Sequence, residues 1–500
     1  MQTQSGQQTP DGSNGAGSAA AGWGRPVTRR TLMAVAGAAG LMSALARTAR
    51  AGTGGDAVDW TALRRALDGP LLLPGDAGYA EAALPFNAAL GTRAPAAIAR
   101  VTGRADVKRC ITRAGGHGIP VAARSGGHSY AGYSTPDGGL VIDVSRARRI
   151  LVKDDGTVQV GAGARLSDVQ AAVAAHGRAL PTGSCPTVGV AGLTLGGGIG
   201  VLSRPYGLTC DHLRSAHVVT GDGELVLADA RHHDDLYWAL RGGGGGQTGV
   251  VTDLTFSTVA APTVTVFSLA FPPEATVAAL AAWTRWIDSA PKAITSVCHV
   301  NSASSTDPLP THRIVGTFVG TPAKLPPHLT TLIAAVGSKP TVNRSRSYTY
   351  LDAMRYFAGT STGRERFRAA SRVLKGTLTE ANAQQVTDLM TQRRGLVLLF
   401  DSLGGEVADL APTDTAFVHR KALASVQIYT SGASGDPAVL AVQQALTPLT
   451  GPGSYVNYLN DGQQDWASAY YGKNLARLKK VVKKYDPSGV LDFRQNVRNA

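Results

Sequence analysis

Between residues 182 and 200 the chain reads Thr-Gly-Ser-Cys-Pro-Thr-Val-Gly-Val-Ala-Gly-Leu-Thr-Leu-Gly-Gly-Gly-Ile-Gly. So many residues without a Cβ do not suit one regular helix or strand. They let a backbone lie flat against something planar and phosphorylated. No clean strand-turn-helix frames the run, which separates it from a Rossmann fingerprint. Two further runs share its texture. Ala123-Arg124-Ser125-Gly126-Gly127-His128-Ser129-Tyr130 is a tight turn after a short apolar strand, and its successive N–H groups suit a pyrophosphate, with Ser125 and Ser129 as added hydroxyl donors. Farther on, a helical stretch runs into five consecutive glycines, 242–246, and then into a strand through Val250 and Val251. Taken singly, a Gly-Gly turn is only a turn, Cys185 is a small apolar core residue, and a glycine run is a linker.

Five hundred residues, 43% of them hydrophobic, exceed one compact core and predict two domains. From 74 to 256 short apolar runs alternate with helical patterns: a helix over 106–114, strands at 119–123, 140–144 and 158–160, an amphipathic helix over Leu166–Ala175, and a hairpin over 216–227 turning at Thr220-Gly221-Asp222-Gly223. Near 257–263 the texture changes. Strands at 264–271, 313–319 and 395–400 then alternate with helices at 274–289 and 380–392, which reads as a sheet covered by helices. The expected fold class is α+β.

The N-terminus reads as an export signal. Thr28-Arg29-Arg30-Thr31-Leu32 precedes a small-residue apolar run from Met33 to Ala46 and then Ala49-Arg50-Ala51, a twin-arginine pattern with cleavage expected after Ala51. The run is shorter than the ~20 residues of a spanning helix, so no stable membrane insertion is expected. Residues 1–51 account for four of the +14 formal charges, and the rest are scattered apart from Lys479, Lys480, Lys483 and Lys484. That cluster reads as the solvated face of a helix over Leu475–Tyr485, not as a nucleic-acid surface. Cys110, Cys185, Cys210 and Cys298 could form two disulfides in an exported chain, and no CxxC spacing suggests a metal site.

The three glycine runs, in this order and spacing, resemble the FAD-binding domain of the vanillyl-alcohol-oxidase and p-cresol-methylhydroxylase (PCMH) type flavoproteins, in particular the berberine-bridge-enzyme-like branch. The likeness covers about 74–256 and resumes at Tyr455-Val456-Asn457-Tyr458, Tyr470-Tyr471-Gly472-Lys473-Asn474-Leu475 and Tyr485-Asp486-Pro487. It implies a two-part FAD-binding domain, 75–257 closed by a C-terminal segment, 452–500, with a substrate domain over 258–451. It also implies FAD held covalently, His128 to the flavin 8α carbon and Cys185 to carbon 6, which fixes the ring and raises its reduction potential. Cofactor contacts are then expected from Arg124, Ser125, Gly126, Gly127 and Ser129, from Thr187, Val188, Gly189, Gly192, Gly197, Gly198 and Gly200, and from Val251, Tyr455 and Asn457. Because His128 and Cys185 would join one ring system, their loops must converge.

Alcohol oxidation needs a base beside the ring, and a tyrosine serves only if neighbours lower its pKa. The resemblance points to Tyr458, with Tyr429 and Tyr133 behind it. The plant alkaloid-forming members use a glutamate before a Pro-Phe-Pro-His-Arg segment; the comparable stretch here, 411–420, offers no clear equivalent, and Asp414 and Glu406 stay unassigned. The expected activity is oxidation of an extracellular carbohydrate, or of a glycosylated or polyketide-type metabolite, with oxygen as acceptor. A dehydrogenase using another acceptor, or a secreted flavin-binding protein without turnover, would keep the same motifs.

Overall fold

The computed structural model describes residues 58–305, 307–358, 363–431 and 436–500. The expected leader, 1–51, lies outside them. Strands β1 (Leu71–Leu72), β2 (Ala97–Arg100), β3 (Val121–Arg124) and β4 (Leu140–Asp143) form a sheet in the order β1-β2-β4-β3, with β4 parallel to both β2 and β3. The helix Arg104–Gly115 supplies the crossover from β2 to β3. Four consecutive buried residues in β4, Leu-Val-Ile-Asp, are what a strand covered on both faces requires.

Strands β5 (Ile150–Val152), β6 (Thr157–Gly161), β8 (Leu213–Thr220), β9 (Leu225–Asp229) and β10 (Gly249–Ser257) make an antiparallel sheet ordered β5-β6-β10-β8-β9; β7 (Arg178–Ala179) pairs separately with β11 (Val259–Ala260). The hairpin β8–β9 turns where the sequence places it, and the amphipathic helix Leu166–Ala175 has the predicted bounds. Leu478, Val481, Val482 and Tyr485, from the helix Leu475–Tyr485, join the same apolar core as these sheets. Gly221 in the hairpin turn donates to the Tyr485 carbonyl, so the chain end returns to this layer. The lysines of that helix face outward, Lys484 pairing with Asp235.

The third layer is one sheet of seven strands: β12 (Val264–Ala270), β13 (Ile294–Asn301), β14 (Thr311–Val319), β15 (Val342–Tyr348), β16 (Phe367–Leu374), β17 (Leu396–Ser402) and β18 (Ala424–Ser431). Their order is β15-β12-β14-β13-β17-β18-β16, every pair antiparallel. One face carries Ile294, Cys298, Val300, Leu398, Phe400 and Ile428 against the helices Thr276–Ser289, Leu325–Val336, Glu380–Thr391 and Asp436–Thr450. The other face, one residue out of phase, looks onto a cavity of about 1180 Å³ between this sheet and the glycine-rich loops.

The stretch 182–200 departs from expectation in one respect, because Val190–Gly196 is a short helix. Packing outweighs glycine's low propensity there: a Cβ on Gly196 would fall on the Asn457 amide, so only glycine lets that loop close against the helix. No disulfide forms. All four cysteines are free, and Cys110, Cys210 and Cys298 are separately buried in apolar surroundings that push their thiol pKa values up. No helix among the described residues is long and apolar enough to cross a membrane.

Candidate active site

The turn after β3 is sharp because Gly127 adopts φ +71°, a left-handed conformation. Its neighbour Gly126 meets Gly189 backbone to backbone. A Cβ on Gly126 would strike the Gly189 nitrogen, and one on Gly189 would strike the Ser125 hydroxyl. This contact brings the two loops together. His128 Nε2 lies 3.0 Å from the Thr187 hydroxyl and Cys185 Sγ lies 3.7 Å from the same oxygen. Phe86 stacks on the imidazole with centroids 3.7 Å apart. Burial, with the positive charge of Arg165 nearby, lowers the His128 pKa to about 4, so the ring is neutral near pH 7.

Most of the residues expected to touch a cofactor line the cavity: Ser125, Gly126, Gly127, His128, Ser129, Cys185, Val188, Gly189, Gly192, Gly200, Val251 and Asn457. Five stand behind the wall instead. Arg124 is buried in an ion pair of 2.7 Å with Asp143, its register partner across β3 and β4, and also donates to the Ala82 carbonyl. The Tyr455 hydroxyl accepts the Gly198 N–H at 2.9 Å and the Asn457 amide at 2.9 Å, which holds Gly197 and Gly198 from the rear. Thr187 spends its hydroxyl on His128 and Cys185. The Ser125 hydroxyl, at the cavity lining, donates to the Ala162 carbonyl at 2.6 Å.

The roof is the inward face of the seven-stranded sheet. Val297, His299 and Asn301 on β13, Arg313 and Val315 on β14, Val397, Leu399 and Asp401 on β17, and Gln427 and Tyr429 on β18 alternate into the cavity. Tyr458 enters from the turn Val456–Tyr458, stacked on Tyr130 at 5.7 Å and edge-on to Tyr455 at 5.0 Å. Its hydroxyl donates to Asp401 across 3.5 Å. Gln427 donates to the Tyr130 hydroxyl at 2.8 Å.

These surroundings reverse one premise. Burial first, and then the charge of Asp401, raise the Tyr458 pKa well above the ordinary tyrosine value. The carboxyl of Asp401, its hydrogen-bond partner, is pushed up to about 7 by burial. Tyr429 donates to Glu365 at 3.2 Å and Tyr133 to Asp461 at 2.6 Å, so neither hydroxyl is joined to Asp401. Glu406 is tied to Lys292 and Asp414 to the Ala411 N–H. Asp401 escaped the sequence reading although it had a signal: an acid at the end of the apolar run Leu396–Phe400, in phase with Val397 and Leu399.

Backbone without side chains from three loops, Gly126–Gly127, Gly183–Gly200 and Gly244–Gly246, makes a cradle in which added Cβ atoms would meet backbone at Gly126, Gly189 and Gly200. Such a surface fits a flat, phosphate-bearing group such as FAD, with a tyrosine–carboxylate pair across the cavity from it. The fold and site define a two-part cofactor-binding oxidoreductase of the PCMH type. Models of the FAD binding domain and of the berberine and berberine-like family match residues 95–229 and 454–498. The FAD-linked oxidoreductase YgaK of Bacillus subtilis is 30% identical over 446 residues, covering 86% of this chain and 97% of its own. The chitooligosaccharide oxidase of Gibberella zeae is 30% identical, covering 83% and 88%. A solved structure of glucooligosaccharide oxidase from Acremonium strictum, which carries a 6-S-cysteinyl, 8α-N1-histidyl FAD, superposes with a TM-score of 0.81 at 26% identity over 88% of this chain and 99% of that one. This chain belongs to the berberine-bridge-enzyme-like FAD-linked oxidoreductases. It is an enzyme, and its cofactor is FAD.

Proposed function

We propose that this enzyme holds FAD through both His128 and Cys185 and oxidises a hydroxyl-bearing carbohydrate or glycosylated metabolite, with oxygen as the electron acceptor. The observation that carries the reading is the shared cavity, which His128, Cys185 and the hydrogen-bonded pair Tyr458–Asp401 all line. In this reading 75–257 and 452–500 hold the cofactor, and 258–451 bind substrate. The twin-arginine pattern at 28–32 exports the chain already folded. When bound, FAD supplies the acceptor for a hydride from the alcohol carbon and hands the electrons to oxygen as hydrogen peroxide. The residues do the remainder. Neutral His128 and half-buried Cys185 tether and orient the ring, the glycine loops contact its phosphates, and Tyr458 takes the substrate's hydroxyl proton as its own passes to Asp401.

Acid-denatured protein is expected to keep its yellow colour and a mass one FAD heavier. The His128→Ala and Cys185→Ala variants should each keep the added mass, and the double variant should lose it. Colour released into the supernatant of the unaltered protein would overturn the double attachment. Peroxide release during sugar oxidation tests the acceptor, and reduction of a dye without peroxide would replace oxygen by another one.

A further inference from the structure

Arg313, on the cavity roof, has no ion-pair partner among the described residues. Arg313 points from β14 into the cavity, where its Nε donates to the Ser268 hydroxyl on the neighbouring strand β12 at 3.0 Å. Ser268 is itself buried, so the guanidinium is anchored from behind. None of the ion pairs among the described residues includes Arg313, and its two terminal nitrogens donate to no described residue. The acids on the same wall are engaged elsewhere, Glu365 by Tyr429 and Asp401 by Tyr458. Beside Arg313 in register is His299, whose pKa burial lowers to about 4, with the Arg313 charge adding to the effect. Near neutral pH the histidine is uncharged, so within this register pair the positive charge is Arg313's. An anchored, planar, half-buried guanidinium with no ion-pair partner among the described residues matches a carboxylate.

Its place sets the distance from the chemistry. His299 pairs with Leu399 on β17, and Asp401 is the next inward position on that strand. Two strand spacings of ~4.8 Å, with two residues of ~3.4 Å along β17, put Arg313 about 12 Å from Asp401 in the plane of the sheet. We propose that Arg313 and His299 form an anion subsite that selects substrates bearing a carboxylate at a distance from the hydroxyl that is oxidised, such as an oligosaccharide with a uronic acid unit. This rests on the reading of the cavity as a carbohydrate-oxidising site.

The test uses the flavin-loaded enzyme and a matched pair of probes, a disaccharide with one hexuronic acid unit and its neutral counterpart. Dissociation constants come from the change in the flavin absorption spectrum under anaerobic conditions. The acidic probe should bind about tenfold or more tightly, as one charge-assisted contact provides. Raising the salt should narrow that ratio, and Arg313→Gln should bring it to about one, with Arg313→Lys between. Equal affinities in the unaltered enzyme, or a ratio unchanged in Arg313→Gln, would overturn the subsite. If the acidic probe binds in an Arg313-dependent way and neither sugar reduces the flavin, the subsite stands and sugar oxidation fails. If both sugars reduce the flavin without preference, sugar oxidation stands and the subsite fails.

Discussion

Replacing Tyr458 by Phe is expected to slow anaerobic reduction of the flavin by substrate about 10²–10⁴-fold, the range that one positioned acid–base group contributes. The change removes one hydroxyl, leaves the ring stacked on Tyr130, and should leave the covalent FAD content intact. The pH profile carries the sharper statement. Asp401 titrates near 7, and only its ionised form can receive the proton that Tyr458 passes on. Below that pH the acceptor is already protonated, so the rate of reduction should fall as pH drops through about 7 and level off above it. In Asp401→Asn the acceptor is gone and the limb near 7 should vanish, with a lower rate at every pH. Stopped-flow absorbance at several pH values measures both. A limb that persists unchanged in Asp401→Asn, or a Tyr458→Phe enzyme that is reduced at the original rate, would place the base elsewhere.

The two walls of this cavity were unequally legible. The glycine wall could be read because the requirement is local: Gly126, Gly189 and Gly200 are positions where any Cβ would collide with backbone, and such collisions show directly in the sequence as glycine. Its order along the chain then led to His128 and Cys185, whose loops converge on the Thr187 hydroxyl as their expected role demands. Which residues sit behind that wall was not legible. Arg124 beside a Gly-Gly turn has the look of a phosphate contact, and only the parallel pairing of β3 with β4 sets it against Asp143. The sheet wall was harder still. Its strands and their alternation could be read, but the chemistry of the inward face depends on a seven-strand order in which β13 neighbours β14 and β17 while β12 neighbours β14 and β15. Nothing local brings Asp401 to Tyr458, 57 residues further along, or unites His299 with Arg313. The raised tyrosine pKa was missed for the same reason, because burial is a property of the assembled cavity.

How the walls keep their spacing leads to the largest stability effect expected in the molecule. Arg204 follows the glycine loop, on the turn of helix Ser203–Tyr206, and the residue is 4% exposed. It crosses to the substrate layer and donates to three carbonyls there, Ile294 at 2.7 Å, Leu403 at 2.5 Å and Ala290 at 2.8 Å. Ile294 opens β13 and Leu403 follows β17, the strands that carry His299 and Asp401. Burial lowers the Arg204 pKa to about 10, which still leaves it charged at neutral pH, and the three carbonyl dipoles are its hydrogen-bond partners. Methionine keeps only the apolar stem and would leave three buried acceptors without donors, at about 1–3 kcal/mol each and not additively, so Arg204→Met should cost about 3–5 kcal/mol. Lysine keeps the charge but cannot reach three acceptors with a planar fork, and should fall between. Urea unfolding followed by tryptophan fluorescence measures the loss. A cost below about 1 kcal/mol would mean that the apolar contacts between the layers hold the walls in place without it. A full loss accompanied by weaker reduction in the surviving folded enzyme would tie the spacing between the glycine loops and the strands that carry His299 and Asp401 to this one side chain.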